Sequence, residues 1–155
     1  MKVQSFGERI VLFVLNVVIF GRLERSLDDD MFFLPHSVRE QAKILWRDGA
    51  AVGFYTTKAK GSLCGDGTGM CYLLPVFDTV YVRRRHRRQG LGVAMLQDFC
   101  ETFRDDEALG VSWPISSAMY QAVPGSSKED MSSHGRTCQD AVPRPSNNGE
   151  GNKVQ

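Results

Sequence analysis

Apolar residues in this chain follow two rhythms, and the change from one to the other divides it into elements. Ala42 to Trp46 and Ala51 to Thr57 are short β-rich runs that flank Arg47-Asp48-Gly49. Asp-Gly between two such runs predicts a hairpin. Along the segment ending at Val82 the alternation has period two. Leu74, Val76, Asp78, Val80 and Val82 share one face and Phe77, Thr79 and Tyr81 the other, so a buried strand is expected. From Leu91 to Phe103 the spacing becomes helical, with Leu91, Met95, Leu96, Phe99 and Phe103 on one stripe. Ala108 to Trp113 reads as a further strand. Ile115 to Val123 reads as a short helix behind Pro114, with Ser116 as its cap.

Outside this middle the pattern changes. Ile10 to Phe20 is an apolar run broken only by Asn16, and Lys2 and Arg9 before it imitate the flank of a signal peptide. Glu8 lies inside that flank, however, and Ile19-Phe20-Gly21 is a poor cleavage site. The run is also shorter than the roughly 20 residues a membrane span requires. The expectation is a helix buried on most sides. Leu27 to Gln41 reads as a loop in which His36 is a lone histidine without catalytic duty, and Lys58 to Gly69, rich in glycine, as a flexible connector. From Pro124 onward the chain is rich in Ser, Gly, Pro and Asn and has no aromatic residue, so residues 124–155 are expected to be a disordered tail.

Hairpin, strand, crossover helix and strand predict three antiparallel strands and then a parallel pairing, which is a mixed α/β sheet with flanking helices. At 155 residues with 42% hydrophobic content, one domain over residues 1–123 is the most the chain supports. Net charge is +1, because the arginines of 83–88 are offset by acidic runs such as Asp28 to Asp30, so bulk charge indicates no partner. Cysteines at 64, 71, 100 and 138 form no CxxC pair; reduced thiols and no metal are expected.

Candidate chemistry lies between the period-two strand and the helix. Arg83-Arg-Arg-His-Arg-Arg88 precedes Gly90 and Gly92. The first turn of a helix presents N–H groups without internal partners and a partial positive charge, and anions bind there. Glycines allow a phosphate close approach, and arginines add charge-assisted bonds. A Rossmann fingerprint would need a third glycine where Met95 stands, and no P-loop string exists. The basic run also permits reading it as a nuclear import or nucleic-acid patch, but its position against the glycines makes phosphate binding more economical and nucleic acid a poor partner.

Arg87, two residues, Gly90, one residue, Gly92 resembles the acyl-CoA signature of the GCN5-related N-acetyltransferases. Five blocks in order (GERIVLFVLNVVIF, AKILWRDGAAVGFYTTKAKGSLC, LPVFDTVYVRR, GLGVAMLQDFCETF and EALGVSWPISSAMY) further resemble the family of the soluble lamin-associated protein of the nuclear periphery, in its shorter B-type branch. The resemblance implies an acetyltransferase-like fold that binds acetyl-CoA and needs no metal. The amides of Arg87, Arg88, Gln89, Gly90, Leu91 and Gly92 would hold the pyrophosphate, and the strand at Val80 and Val82 would pair with the pantetheine arm. Asp78 would be the base toward an amine, and Tyr120 the acid that protonates the departing thiolate. The superfamily's last strand pair has no counterpart after Val123, so the expectation is an incomplete domain. That favours a non-catalytic binding or scaffolding module over the alternative, an acyl-CoA-dependent N-acetyltransferase. The family implies a nuclear location, otherwise a cytoplasmic one, and proteins of the nuclear lamina or envelope as partners.

Overall fold

The computed structural model describes residues 1–24, 35–37, 40–63, 69–112 and 140–143. Helix α1, Phe6–Phe13, starts at a capping box. The Ser5 hydroxyl accepts from the Glu8 N–H at 3.2 Å, and the Glu8 carboxylate accepts from the Ser5 N–H at 2.7 Å, so two end donors are satisfied reciprocally. Without interruption the chain widens into a π-helix over Val14–Leu23, whose last bond runs from the Glu24 N–H to the Ile19 carbonyl at 2.8 Å. The widened turns place Leu15, Asn16, Ile19 and Phe20 inward. With Leu12 they make one inward stripe, and the opposite side faces out: Phe6, Ile10, Phe13, Val14 and Val18 are all exposed. The expected burial on most sides is therefore wrong, because a helix laid on one sheet face can bury only one stripe.

Strands β1, Gln41–Arg47, and β2, Ala50–Lys58, form the predicted hairpin. Its two turn residues, Asp48 at φ 50° and Gly49 at φ 75°, both lie in the left-handed region that a tight hairpin turn requires. Strand β3, Val76–Val82, is antiparallel to β2; helix α2, Leu91–Thr102, crosses over; and β4, Ala108–Val111, pairs parallel to β3. The sheet runs in the order β1-β2-β3-β4-β5. Strand β5, Asp140–Pro143, is antiparallel to β4 with Ala108 opposite Pro143 and Val111 opposite Asp140. Those four residues fall within the stretch expected to be a structureless tail. A strand edge with open ladder groups recruits even a polar segment through its backbone. The expected helix at Ile115 to Val123 and the remainder of 124–155 lie outside the described residues.

Each face of the sheet carries its own core. On one, α2 packs Met95, Leu96 and Phe99 against Tyr55, Phe77 and Leu109. On the other, Leu12 and Leu15 cover Ala42, Ile44, Phe54 and Tyr81. Tyr55 pairs with Val80 but Thr57 with Phe77, so β3 holds one extra residue between them. This bulge breaks the even alternation expected along β3. Phe77, Val80 and Val82 all pack on the α2 side, while Tyr81 lies on the other.

Candidate functional site

The site begins where the described pairing of β3 with β4 ends. The Gly110 N–H donates to the Pro75 carbonyl and the Ser112 N–H to the Phe77 carbonyl, each at 2.9 Å. Only Val76 and Phe77 are in register against β4, and among the described residues Asp78 to Val82 have no strand partner on that side. The Arg83 N–H donates to the Val52 carbonyl of β2 at 2.9 Å. Because the polar groups of a strand point alternately to its two sides, those of Val80 and Val82 point away from β2 toward the open edge. Val80 and Val82, the residues expected to pair with a pantetheine arm, both lie on this edge. The Val82 carbonyl already accepts from Arg87 Nε at 2.8 Å.

After β3 the basic run makes one 3₁₀ turn, Arg84–His86. Arg88 follows at φ 63° and Gly90 at φ 74°, and Gly90 is the N-cap of α2 with no side chain closing the helix end. The first intrahelical bond is Ala94 N–H to Gly90 carbonyl, 3.0 Å. That leaves the N–H groups of Leu91, Gly92 and Val93 as the open first turn. A Cβ built on Gly90 would meet nothing within 4 Å, so the helix start is open at that position. Among the described residues no side chain bonds to Arg88, whereas Gln89 Oε1 accepts from Arg47 Nη1 and ties the loop to the β1–β2 hairpin.

Arg87 departs from expectation. Its guanidinium turns back toward the sheet, 6.0 Å from the Tyr81 ring and 3.9 Å from Glu24, and its N–H donates to the Arg84 carbonyl at 3.3 Å. The side chain expected to bind phosphate instead braces the loop; Arg88 and the helix amides remain for an anion.

Asp78 also sits differently. The bulge places it away from Val82, on the face where Lys58 and Phe54 lie, so the expected shared face with Val82 is wrong. Its Oδ1 accepts from the Ser112 hydroxyl at 2.7 Å, just past the end of β4, and Oδ2 faces Lys58 Nζ at 3.6 Å. Lys58 in turn donates to Glu40, and Glu40 Oε2 lies 2.9 Å from His36 Nδ1. The hydrogen bond from His36 and the Lys58 ammonium outweigh burial and hold Glu40 at about pKa 2. Burial works against the Lys58 charge, but Glu40 and Asp78 outweigh it and raise the Lys58 pKa. His36 is therefore not a lone histidine: it heads a chain of four ionisable side chains that ends on Asp78. The four-residue spacing of His36 and Glu40 was its one local signal. Tyr120 lies outside the described residues.

Glu24, which no pattern singled out, reaches the basic loop from the far side of the sheet. Its Oε2 accepts from the Tyr81 hydroxyl and the Arg84 N–H, each at 2.6 Å. Among the described residues no group of three or more His, Cys, Asp or Glu is placed to hold a metal ion, and no helix is long and apolar enough to cross a membrane.

Residues 17–122 match the model of the Acetyltransferase (GNAT) family. The chain is 73% identical over 154 residues to human Protein FAM169BP, covering 99% of this chain and 80% of that protein. It is 76% identical over 124 residues to mouse Protein FAM169B, covering 79% of this chain but only 37% of the mouse protein. Among solved structures it is similar to a ribosomal-protein-alanine N-acetyltransferase from Brucella melitensis biovar Abortus 2308. That likeness has 19% identity and a TM-score of 0.42, and covers 67% of this chain and 77% of the other.

Proposed function

The chain belongs to the acetyltransferase (GNAT) family, in its FAM169B branch, and we propose that it is an acyl-CoA-binding module in which the edge of β3 beyond Phe77 receives the pantetheine arm and the start of α2 the diphosphate. One observation carries this reading: the edge of β3 at Val80 and Val82, which has no strand partner beyond Phe77 among the described residues, runs into a helix start that no side chain caps and that is open at the Gly90 Cβ position. Amides of Leu91, Gly92 and Val93 suit phosphate oxygens, and Arg88 adds a cation beside them. Acyl-CoA, when bound, would supply a thioester carbonyl. The chain's part is to orient it and keep its diphosphate at the helix end.

Binding is favoured over transfer by the state of Asp78, whose two oxygens are engaged by Ser112 and by the Lys58 charge. Taking a proton there would give up the attraction of the carboxylate to that charge. Transfer of an acetyl group to an amine is the alternative, and release of free CoA thiol above the blank with primary amines would establish it. The proposed setting is the nuclear periphery with lamina or envelope proteins as partners, supported by the resemblance to the lamin-associated family.

Thermal unfolding with acetyl-CoA tests the premise. A ligand that binds only the folded state stabilises it by about 2.7 kcal/mol at one hundred times its Kd, so the melting temperature should rise with concentration. Gly90→Glu should abolish that rise by setting a carboxylate against the diphosphate. Gly90→Ala, which shares the backbone strain at φ 74° but not the charge, should keep most of it. No rise with millimolar acetyl-CoA would overturn the reading.

A further inference from the structure

We infer that Glu24 is a positioning residue for the loop that presents the α2 amides, acting from the opposite face of the sheet; this rests on the acyl-CoA reading above. A run of five arginines and a histidine in six positions repels itself and has no reason to hold one shape. A single carboxylate organises it. Glu24 Oε2 accepts from the Arg84 N–H and the Tyr81 hydroxyl, its backbone carbonyl accepts from Arg84 Nη2 at 3.2 Å, and Oε2 stands 3.9 Å from Arg87 Nη2. Both ends of the 3₁₀ turn are thereby gripped, and Arg87 also reaches the Val82 carbonyl.

The support is itself anchored. Phe20, one turn before Glu24, stacks on the Tyr81 ring with centroids 4.4 Å apart, and the Glu24 side chain is only 16% exposed. None of its bonds reaches Arg88 to Val93, so the carboxylate lies behind the loop and not in the space a diphosphate would enter. Burial opposes its charge, but the Tyr81 hydroxyl, the Arg84 N–H and the charges of Arg87 and Arg83 outweigh this, and the net shift is downward. It therefore stays ionised at neutral pH. With Arg84 and Arg87 drawn inward, Arg88 turns the chain through its left-handed φ and the amides emerge at Gly90 and beyond.

Titration calorimetry of the whole chain with acetyl-CoA separates this role from others. Glu24→Ala should weaken binding about ten-fold, the size of one hydrogen bond to a charged group. Glu24→Gln keeps an oxygen that accepts from Tyr81 and Arg84 and should restore affinity to within about three-fold. Tyr81→Phe, which removes one donor and keeps the ring, should fall between them and serves if the alanine variant does not fold. Affinity that is unchanged or tighter in Glu24→Ala would overturn the proposal, as would equal losses in the alanine and glutamine variants. If even the native chain binds no acetyl-CoA, the acyl-CoA reading fails on its own. Amide hydrogen exchange without ligand then decides the positioning role: exchange at Arg84 to Gly90 must be faster in Glu24→Ala, and equal rates would reject it.

Discussion

Replacing Glu40 with glutamine tests the ion chain that ends on Asp78. In the folded protein Glu40 titrates at about 2, below its ordinary 4.5, so its contribution is fully present above pH 4.5 and is lost as pH falls toward 2. Glu40→Gln should destabilise the protein by about 1–2 kcal/mol at pH 7, a figure reduced for the partial exposure of the group. The gap should narrow as pH drops from 4.5 toward 2, because the native carboxylate is then protonated too. Urea midpoints of both proteins at pH 7, 5, 4 and 3 would show it, and a gap that stayed constant would contradict the assignment. At this scale the sequence was a poor guide. Asp78 was readable as a polar residue on the central strand, but its face depended on an extra residue in β3, and nothing local marks a bulge of that kind. Glu24 was unreadable, since its partners Tyr81 and Arg84 lie 57 and 60 residues away.

Elements were read more faithfully, because periodicity and turn chemistry act over neighbouring residues. The Asp48-Gly49 hairpin, the strand ending at Val82 and the helix from Leu91 all formed where pattern and turn placed them. What periodicity could not supply is how closely elements approach. Gly53 in β2 shows this: a Cβ there would lie 2.5 Å from the Tyr81 carbonyl oxygen and 2.8 Å from the Met95 terminal methyl. Methionine can yield, but the carbonyl belongs to the β3 backbone. Gly53→Ala should therefore cost about 1–3 kcal/mol as overpacking. Gly49→Ala, with nothing within 4 Å but φ at 75°, should cost about 1–2 kcal/mol from backbone strain alone. Denaturant unfolding distinguishes the two when each is paired with Met95→Ala. Shortening Met95 should offset part of the Gly53 penalty and none of the Gly49 one.

For the whole molecule the decisive feature is the asymmetry of the two sheet faces. Composition and crossover order implied helices on both, and both are covered, but the amino-terminal one leaves a stripe of Phe6, Ile10, Phe13, Val14 and Val18 to solvent, with Phe6 81% exposed. An apolar run broken by a single asparagine looks the same in sequence whether one side or all sides are buried, which is why its burial could not be read beforehand. Exposed side chains contribute little to stability, so Ile10→Gln with Phe13→Gln should leave the unfolding free energy within about 0.5 kcal/mol per site. Leu12→Ala or Leu15→Ala, in the cluster with Ile44 and Phe54, should each cost about 2–5 kcal/mol. Light scattering at rising protein concentration should fall in the glutamine pair, because contiguous exposed apolar surface promotes association. Were the glutamine pair to lose as much stability as the alanine variants, the stripe would have to be packed within the folded chain, and the one-sided helix described above would be wrong.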